Sequence, residues 1–452
     1  MNKEKKRKDQ AVVHMPVVNL YAAGIDISDT EHVVALPEGL SEKRVYSFGA
    51  MTCDLHAIAD VLAHYEIDTV AMESTGVYWK PLFTVLVERG FEVYLVNAAH
   101  VKNVTGRKDD ENDAMWLQKL HSCGLLKTSY LPDNEQEALR TLVRFRRTLV
   151  QDSSRFINRM QKSLELMNIK FHTVISDITG TSGRAVIEAI IAGQRQAENF
   201  MPLINYRVKA SRNEIIKSLQ GNWRDEHLFT LTQSYQMYIH YRERIGTCDK
   251  QIEKHLQQFE ARSNQGEVGN NVTVPAKIVK KKDKNHPAIN VRRYLQRIHG
   301  VDVLDIYGLS DIGGLELLSE TGTDLSKWKT EKHFVSWLNI CPNNKISGGK
   351  VISSNLRKKR PNAACQAFKS AANAVQKSNH WLGDYFRRMK AKGGNKYAIV
   401  ATANKIATIY YKMVRYKQTF MPVDLNQYQQ KYKQAKIAYL ERKLNKLKQE
   451  TA

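Results

Sequence analysis

Cysteine, long apolar runs and acidic charge are all scarce in this 452-residue sequence. The five cysteines, Cys53, Cys123, Cys248, Cys341 and Cys365, are odd in number and include no Cys-x-x-Cys pair. That argues against a disulfide framework and a cysteine-based zinc site, and fits a reducing cytoplasm. The 14 histidines show no His-Glu-x-x-His spacing, so a histidine-held zinc is not expected either. No apolar run approaches the ~18 residues of a membrane helix. The basic start, MNKEKKRKDQ, has no apolar segment behind it, so secretion is not expected. Acids number 46 against 69 Lys and Arg, a formal charge of +23, which points to a polyanionic partner and to nucleic acid first. With 42% hydrophobic and 25% charged residues the chain has a folded protein's composition, which excludes wholesale disorder. Its length allows about two to four domains at roughly 100–200 residues each.

After a basic tail (1–17), residues 19–28 (NLYAAGIDIS), 31–36 and 44–48 read as three strands in a meander. Residues 54–64 read as a helix, 68–73 as a buried strand, 77–89 as a helix and 92–96 as a strand, and a helix opens near Glu111. Three adjacent strands followed by alternating helices and strands predict an α/β domain over 18–132, a mixed sheet with helices on its faces. From 133 to 261 the period changes. Leu139, Leu142, Leu149, Phe156, Met160, Leu164 and Met167 recur at steps near 3 and 4, with Arg146 and Ser153 in the gaps. Leu228, Leu231, Tyr235, Tyr238, Ile245, Ile252 and Phe259 make a second seam. Two such seams predict long helices paired as a coiled coil, either as an internal hairpin or between two chains. The first helix also carries Arg140, Arg144, Arg147, Arg155, Arg159 and Lys162, a basic face suited to nucleic acid. Residues 262–290 read as a basic linker, 291–415 as a mostly helical domain, and 416–452 as a Lys- and Gln-rich basic tail.

Four acids stand at chemically informative places. Asp26 ends the first strand and Glu73 ends the later buried strand. Asp110 and Asp113 open a helix three residues apart, hence on one face. Strand-end acids facing a helical acid pair form the pattern of a ribonuclease-H-like Mg²⁺ site, since Mg²⁺ prefers oxygen ligands. A cation would relieve the mutual repulsion of four carboxylates, and two metals ~3.5–4 Å apart can clamp a phosphodiester. Turn, cap and helix-dipole roles account for the same residues individually. Spacing leaves Asp29, Asp109 and Glu111 as alternatives.

GIDIS, AMESTGVYW and VNAAHVKNVTGRKDDENDAMWL, in that order, resemble the DEDD transposases of the insertion-sequence one-ten family. IHGVDVLDIYGLSDIGGLELLSETG and the stretch around KISGGK resemble that family's second transposase domain. The resemblance implies a RuvC-like N-terminal domain whose Asp26, Glu73, Asp110 and Asp113 hold Mg²⁺. It implies that Ser347, before Gly348 and Gly349, is a nucleophile that forms a covalent phosphoserine with DNA. It further implies donor and target DNA as partners, a non-coding bridge RNA as guide, and a homodimer that assembles to a tetramer. Lys345, Lys350 and Arg357 are placed to stabilise phosphate charge near that serine, with Ser353 and Ser354 as rival nucleophiles. Gly313 and Gly314 can either offer helix N-terminal amides to a phosphate or permit close helix packing. Tyr397, Tyr410 and Tyr411 lie near basic residues and could contact nucleic acid, but core positions are expected for them, as for Trp79 and Trp116. Two competing functions remain on the residues alone: a junction-resolving nuclease that uses only the acids and water, and a non-catalytic RNA/DNA-binding protein.

Overall fold

The computed structural model describes residues 16–74, 76–96, 110–263, 284–356 and 362–450. The chain divides into two compact units, 1–131 and 132–452. Most of the N-terminal tail, the run Lys280-Lys281-Lys282, Asp109 and Arg357 lie outside the described residues.

The first unit is a five-stranded mixed sheet. Its strands are β1 (Ala22–Ile27), β2 (Glu31–Ala35), β3 (Val45–Gly49), β4 (Thr69–Glu73) and β5 (Glu92–Val96), with α1 (Thr52–His64) before β4 and α2 (Trp79–Glu88) before β5. Spatial order is β3-β2-β1-β4-β5; the first three strands are antiparallel, and β1, β4 and β5 are parallel. This is the expected meander followed by β-α-β crossovers, a ribonuclease-H-like arrangement.

Alternation along the strands explains why both faces are covered. Ala23, Ile25 and Ile27 of β1 with Val70 and Met72 of β4 pack against Leu55, Ile58, Ala59 and Leu62 of α1 and Leu82 and Leu86 of α2. Fully burying each larger aliphatic side chain contributes roughly 1.5–3 kcal/mol. The intervening residues face the opposite way, and α3 (Asp110–Ser122) covers them. Ala114 meets Val33 and Ala35, while Leu117 meets Ala71 and Val96.

The second unit is helical apart from one hairpin. Asp133 accepts the Gln136 N–H at 2.7 Å and starts α4 (Asn134–Leu166), which spans ~50 Å at about 1.5 Å per residue. A small helical cluster follows, with α5 (Thr181–Ile191) and α6 (Arg212–Ser218), and then α7 (Asp225–Ser263). Helices α4 and α7 pack antiparallel within one chain. Cys248 Sγ donates to Leu142 O at 3.5 Å, the Phe156 and Tyr241 rings lie 5.5 Å apart, and the Ser163 and Thr230 hydroxyls meet at 3.0 Å. The two predicted seams therefore face each other. Arg146, one of the gaps in the first seam, forms a buried ion pair with Asp249.

Beyond α7, the chain forms α8 (Val291–His299), α9 (Asp311–Thr321), α10 (Glu331–Trp337), β6 (Lys345–Ser347), β7 (Lys350–Ser353), α11 (Ala363–Ala374), α12 (Trp381–Tyr416) and α13 (Leu425–Glu450). Phe334, Phe368, Tyr410 and Tyr411 centre this region's core, as expected for those two tyrosines, whereas Tyr397, expected with them, is 44% exposed. Helix α12 breaks at Gly393-Gly394, where Gly394 has φ 80°.

Candidate active site

In the first unit, the sheet register sets the position of the acids. Strands β1 and β4 pair in parallel with Gly24 opposite Ala71 and Ile25 opposite Met72. The next residue on each strand is an acid, Asp26 on β1 and Glu73 at the end of β4. Both belong to the alternating set that faces α3, and both side chains are half-buried.

Helix α3 brings the other two acids to the same end of the sheet. A Cβ on Gly24 would lie 2.3 Å from Gln118 N and 2.5 Å from Ala114 O, so the helix backbone rests directly on β1 at this glycine. Gln118 Nε2 donates to Ala22 O at 3.1 Å, and Asn19 N–H donates to Ser122 O at 2.9 Å. Rising helix numbers thus meet falling strand numbers, and α3 runs antiparallel to β1. Its N-terminal turn, with Asp110 and Asp113, lies toward the carboxyl ends of β1 and β4. Asp113 is exposed, and the Asp110 and Glu111 side chains lie outside the described residues. Asp29, the alternative, is exposed in the β1–β2 turn.

The far end of α3 is fixed by a buried polar contact. His121 Nε2 and Thr69 Oγ1 meet at 2.9 Å, and burial pushes the imidazole down to about 4, so it is neutral there near pH 7. The carboxylate set supplies the hard oxygen donors that suit a divalent cation. Among the described residues, no three His, Cys, Asp or Glu side chains are grouped closely enough to hold one. The described part of the arrangement is the strand-end pair, with the helix turn aimed at it.

In the second unit, Ser347 occupies the end of β6 and pairs in register with Lys350 of β7. Gly348 and Gly349, at φ 55° and 75°, make the two-residue turn between them. Two successive positive φ values match a type I′ hairpin, which explains the Gly-Gly. Neither glycine has an atom within 4 Å of a built Cβ, so the tip stands in open space. Ser347, Lys345 and Lys350 are all exposed. The rival serines are tied into the hairpin's base: Ser354 Oγ donates to Asn344 Oδ1 at 2.8 Å, and Ser353 Oγ accepts from Asn355 Nδ2 at 3.2 Å.

The structure bears on one open alternative and on one expectation. The Gly313 amide donates to Ser310 Oγ at 3.1 Å, and the Gly314 amide to Ser310 O at 2.8 Å, so both are used inside the α9 cap rather than offered outward. A Cβ on Gly314 would come within 2.5 Å of Leu295 and 2.8 Å of Leu304, so close packing is what requires this glycine. The basic face of α4 is also partly neutralised. Arg144 forms a two-pronged contact with Glu320 at 2.7 and 3.0 Å, Arg140 reaches the same carboxylate at 3.1 Å, and Arg147 lies 4.0 Å from Glu316. Arg155 keeps 73% of its side-chain surface exposed although it pairs with Asp152.

Sequence reading missed Gly24 and Gln118. A glycine inside the strand AAGIDIS is the available sign of close backbone approach; nothing in the sequence singles out Gln118.

The chain thus joins an acid-bearing ribonuclease-H-like unit to a mostly helical second unit. Residues 23–169 match a family model described as transposase, that of the IS110 DEDD domain, and residues 302–387 match the transposase IS116/IS110/IS902 family. The chain belongs to the IS110 family of transposases. No curated protein matches it. Membership implies an insertion-element transposase that acts on DNA and depends on a divalent metal. No helix among the described residues is long and apolar enough to cross a membrane.

Proposed function

We propose that this transposase is an RNA-guided recombinase that exchanges DNA strands through a covalent bond to Ser347, with Asp26, Glu73, Asp110 and Asp113 as ligands of Mg²⁺. The observation that supports the reading is the parallel β1–β4 register, whose last pair, Ile25 with Met72, is followed on each strand by an acid at the end of the sheet toward which the first turn of α3 points. Mg²⁺ held there would polarise a phosphodiester and offset the charge that builds on its oxygens. Ser347 Oγ forms a new bond to phosphorus, the bridging bond of the strand breaks, and the departing deoxyribose oxygen takes up a proton. One phosphodiester replaces another, so rejoining needs no ATP.

The exposed hairpin supports a role for Ser347, because a nucleophile on a projecting tip can enter a nucleic-acid groove. Lys345 and Lys350 beside it suit the charge of a five-coordinate phosphorus. Guidance by a bridge RNA, a coiled-coil role for the α4–α7 pair and assembly of dimers into a tetramer belong to the same reading. They rest on the family resemblance and on the +23 charge.

The test incubates the full chain with labelled donor and target DNA, Mg²⁺ and RNA from the element's flank, and then denatures it. A DNA adduct should appear, map to Ser347 by peptide mass, and vanish in Ser347→Ala with DNA binding retained. Recombination without any adduct returns the hydrolytic nuclease to first place. An adduct on Ser353, Ser354 or a tyrosine moves the nucleophile elsewhere.

A further inference from the structure

The C-terminal segment contains an organised apolar stripe that its sparse composition conceals. Helix α13 is continuous from Leu425 to Glu450, and Asp424 Oδ1 accepts the Gln427 N–H at its start. Its first turns dock on α12. The Arg388 guanidinium lies 4.8 Å from the Tyr428 ring centre and 3.9 Å from that of Tyr432, and Trp381 lies 5.5 Å from Tyr428. Gln429 Nε2 donates to Asp384 Oδ1 at 3.5 Å. After Tyr432 the large apolar residues on this helix are all exposed. Ile437, Leu440, Leu444 and Leu447 are 55%, 51%, 53% and 50% exposed.

Their spacing is 3, 4 and 3, the a-d-a-d positions of two heptads. At 3.6 residues per turn the stripe lies about 120° around the helix from Tyr428 and Tyr432, so docking on α12 leaves it open. We infer that this stripe is an interface with a second copy of α13, the two helices running parallel.

Three features select that occupant. A strict a/d stripe is narrower than the apolar face of a helix lying on a globular core, and it suits a seam with another helix. Ile437 at the first a position with Leu at both d positions favours two strands over three or four, with Leu444 at the second a position. In that register, Lys436 at a g position faces Glu441 at the e position of the other copy. Lys443 and Lys448 face each other in the same way and oppose the pairing. Two heptads are also too short to stand alone. The contact therefore reinforces copies that other surfaces bring together, where a tether raises the effective concentration toward the millimolar range. The inference rests on the proposed assembly of copies but not on the metal site or on Ser347, because it uses no residue of either.

The test uses the full chain with Leu444→Cys, mild oxidation and identification of linked peptides by mass. Native cysteines are distinguished by their own peptides. Homotypic links at position 444 should form at least tenfold more readily than links in a control carrying Arg442→Cys, on the outward f position. Adding Lys436→Glu or Glu441→Lys to Leu444→Cys should each cut the yield severalfold, because like charges then face each other. Adding both should restore it. Equal yields at 442 and 444, or no restoration by the double exchange, overturns parallel self-pairing. An antiparallel pair fails the second criterion, since Lys436 and Glu441 do not face each other in it.

Discussion

Gly24→Ala tests the proposed metal site, since the perturbation is one methyl group at the place where α3 rests on β1. The added Cβ would lie 2.3 Å from Gln118 N, 2.5 Å from Ala114 O and 2.8 Å from Gln118 Cα, all backbone atoms with no side chain free to swing aside. Ordinary contact needs about 3.4 Å or more, so strand and helix must separate by about 1 Å. Overpacking of this kind costs about 1–3 kcal/mol. The larger effect is expected on catalysis. The helix that shifts carries Asp110 and Asp113, while Asp26 and Glu73 stay with the sheet, and a misplacement of about 1 Å at reacting groups costs on the order of 100-fold in rate. DNA affinity should hold, because Lys and Arg contacts to phosphate supply most of it. Urea unfolding, a filter-binding titration and a recombination assay on the same preparation separate these quantities. Recombination within twofold of the parent, with unchanged stability, would show that α3 is not seated on β1 as described. Loss of DNA binding in step with activity would show general disruption instead of displaced acids.

Changing Asp26 or Glu73 to Ala should reduce recombination by at least 100-fold while leaving DNA affinity within a fewfold; full activity in both variants would remove the metal site. Arg146→Met should lower unfolding free energy by about 3 kcal/mol, since it leaves the Asp249 carboxylate buried with the Ala288 N–H but no cation, whereas Arg146→Met with Asp249→Leu should recover part of that loss. Urea midpoints decide, and a double variant no better than the single would refute the account. Acid should weaken the fold through His121 and His299, which burial pushes down to about 4 and about 3. Both folded values lie below the ordinary value near 6.5, so the unfolded chain takes up protons that the fold refuses. Stability present above about pH 6.5 is then lost as pH falls toward 4, by about 3 kcal/mol for His121. His299 has no hydrogen-bond partner on either ring nitrogen among the described residues, so His299→Phe should raise neutral stability and flatten the acid decline in urea midpoints. An unchanged pH profile would contradict this.

What the sequence determined by itself is whatever depends on local period and residue type. Alternation in AAGIDIS and DTVAME specified strands buried on both faces, and steps of 3 and 4 specified the two long helices. Residues 291–415 read as mostly helical, and the β6–β7 hairpin that carries Ser347 came only from the structure. Tertiary structure decided the matters that depend on which surfaces meet. The pairing of the α4 and α7 seams within one chain is long-range, and so is the answer to Arg146: its partner Asp249 lies 103 residues away. The same reason reassigns Arg140 and Arg144 to Glu320, because a charged stripe looks alike in sequence whether water or a buried carboxylate faces it. Of the two readings left open for Gly313 and Gly314, close packing holds at Gly314, where Leu295 and Leu304 come up against it. The four apolar residues of α13 became a seam only when the helix proved continuous and its docked face proved to be a different one. Asp26 and Glu73 could be named from their strand ends, but their place at one end of the sheet came from the parallel register of β1 and β4, which backbone hydrogen bonding across the sheet sets and neither strand encodes alone.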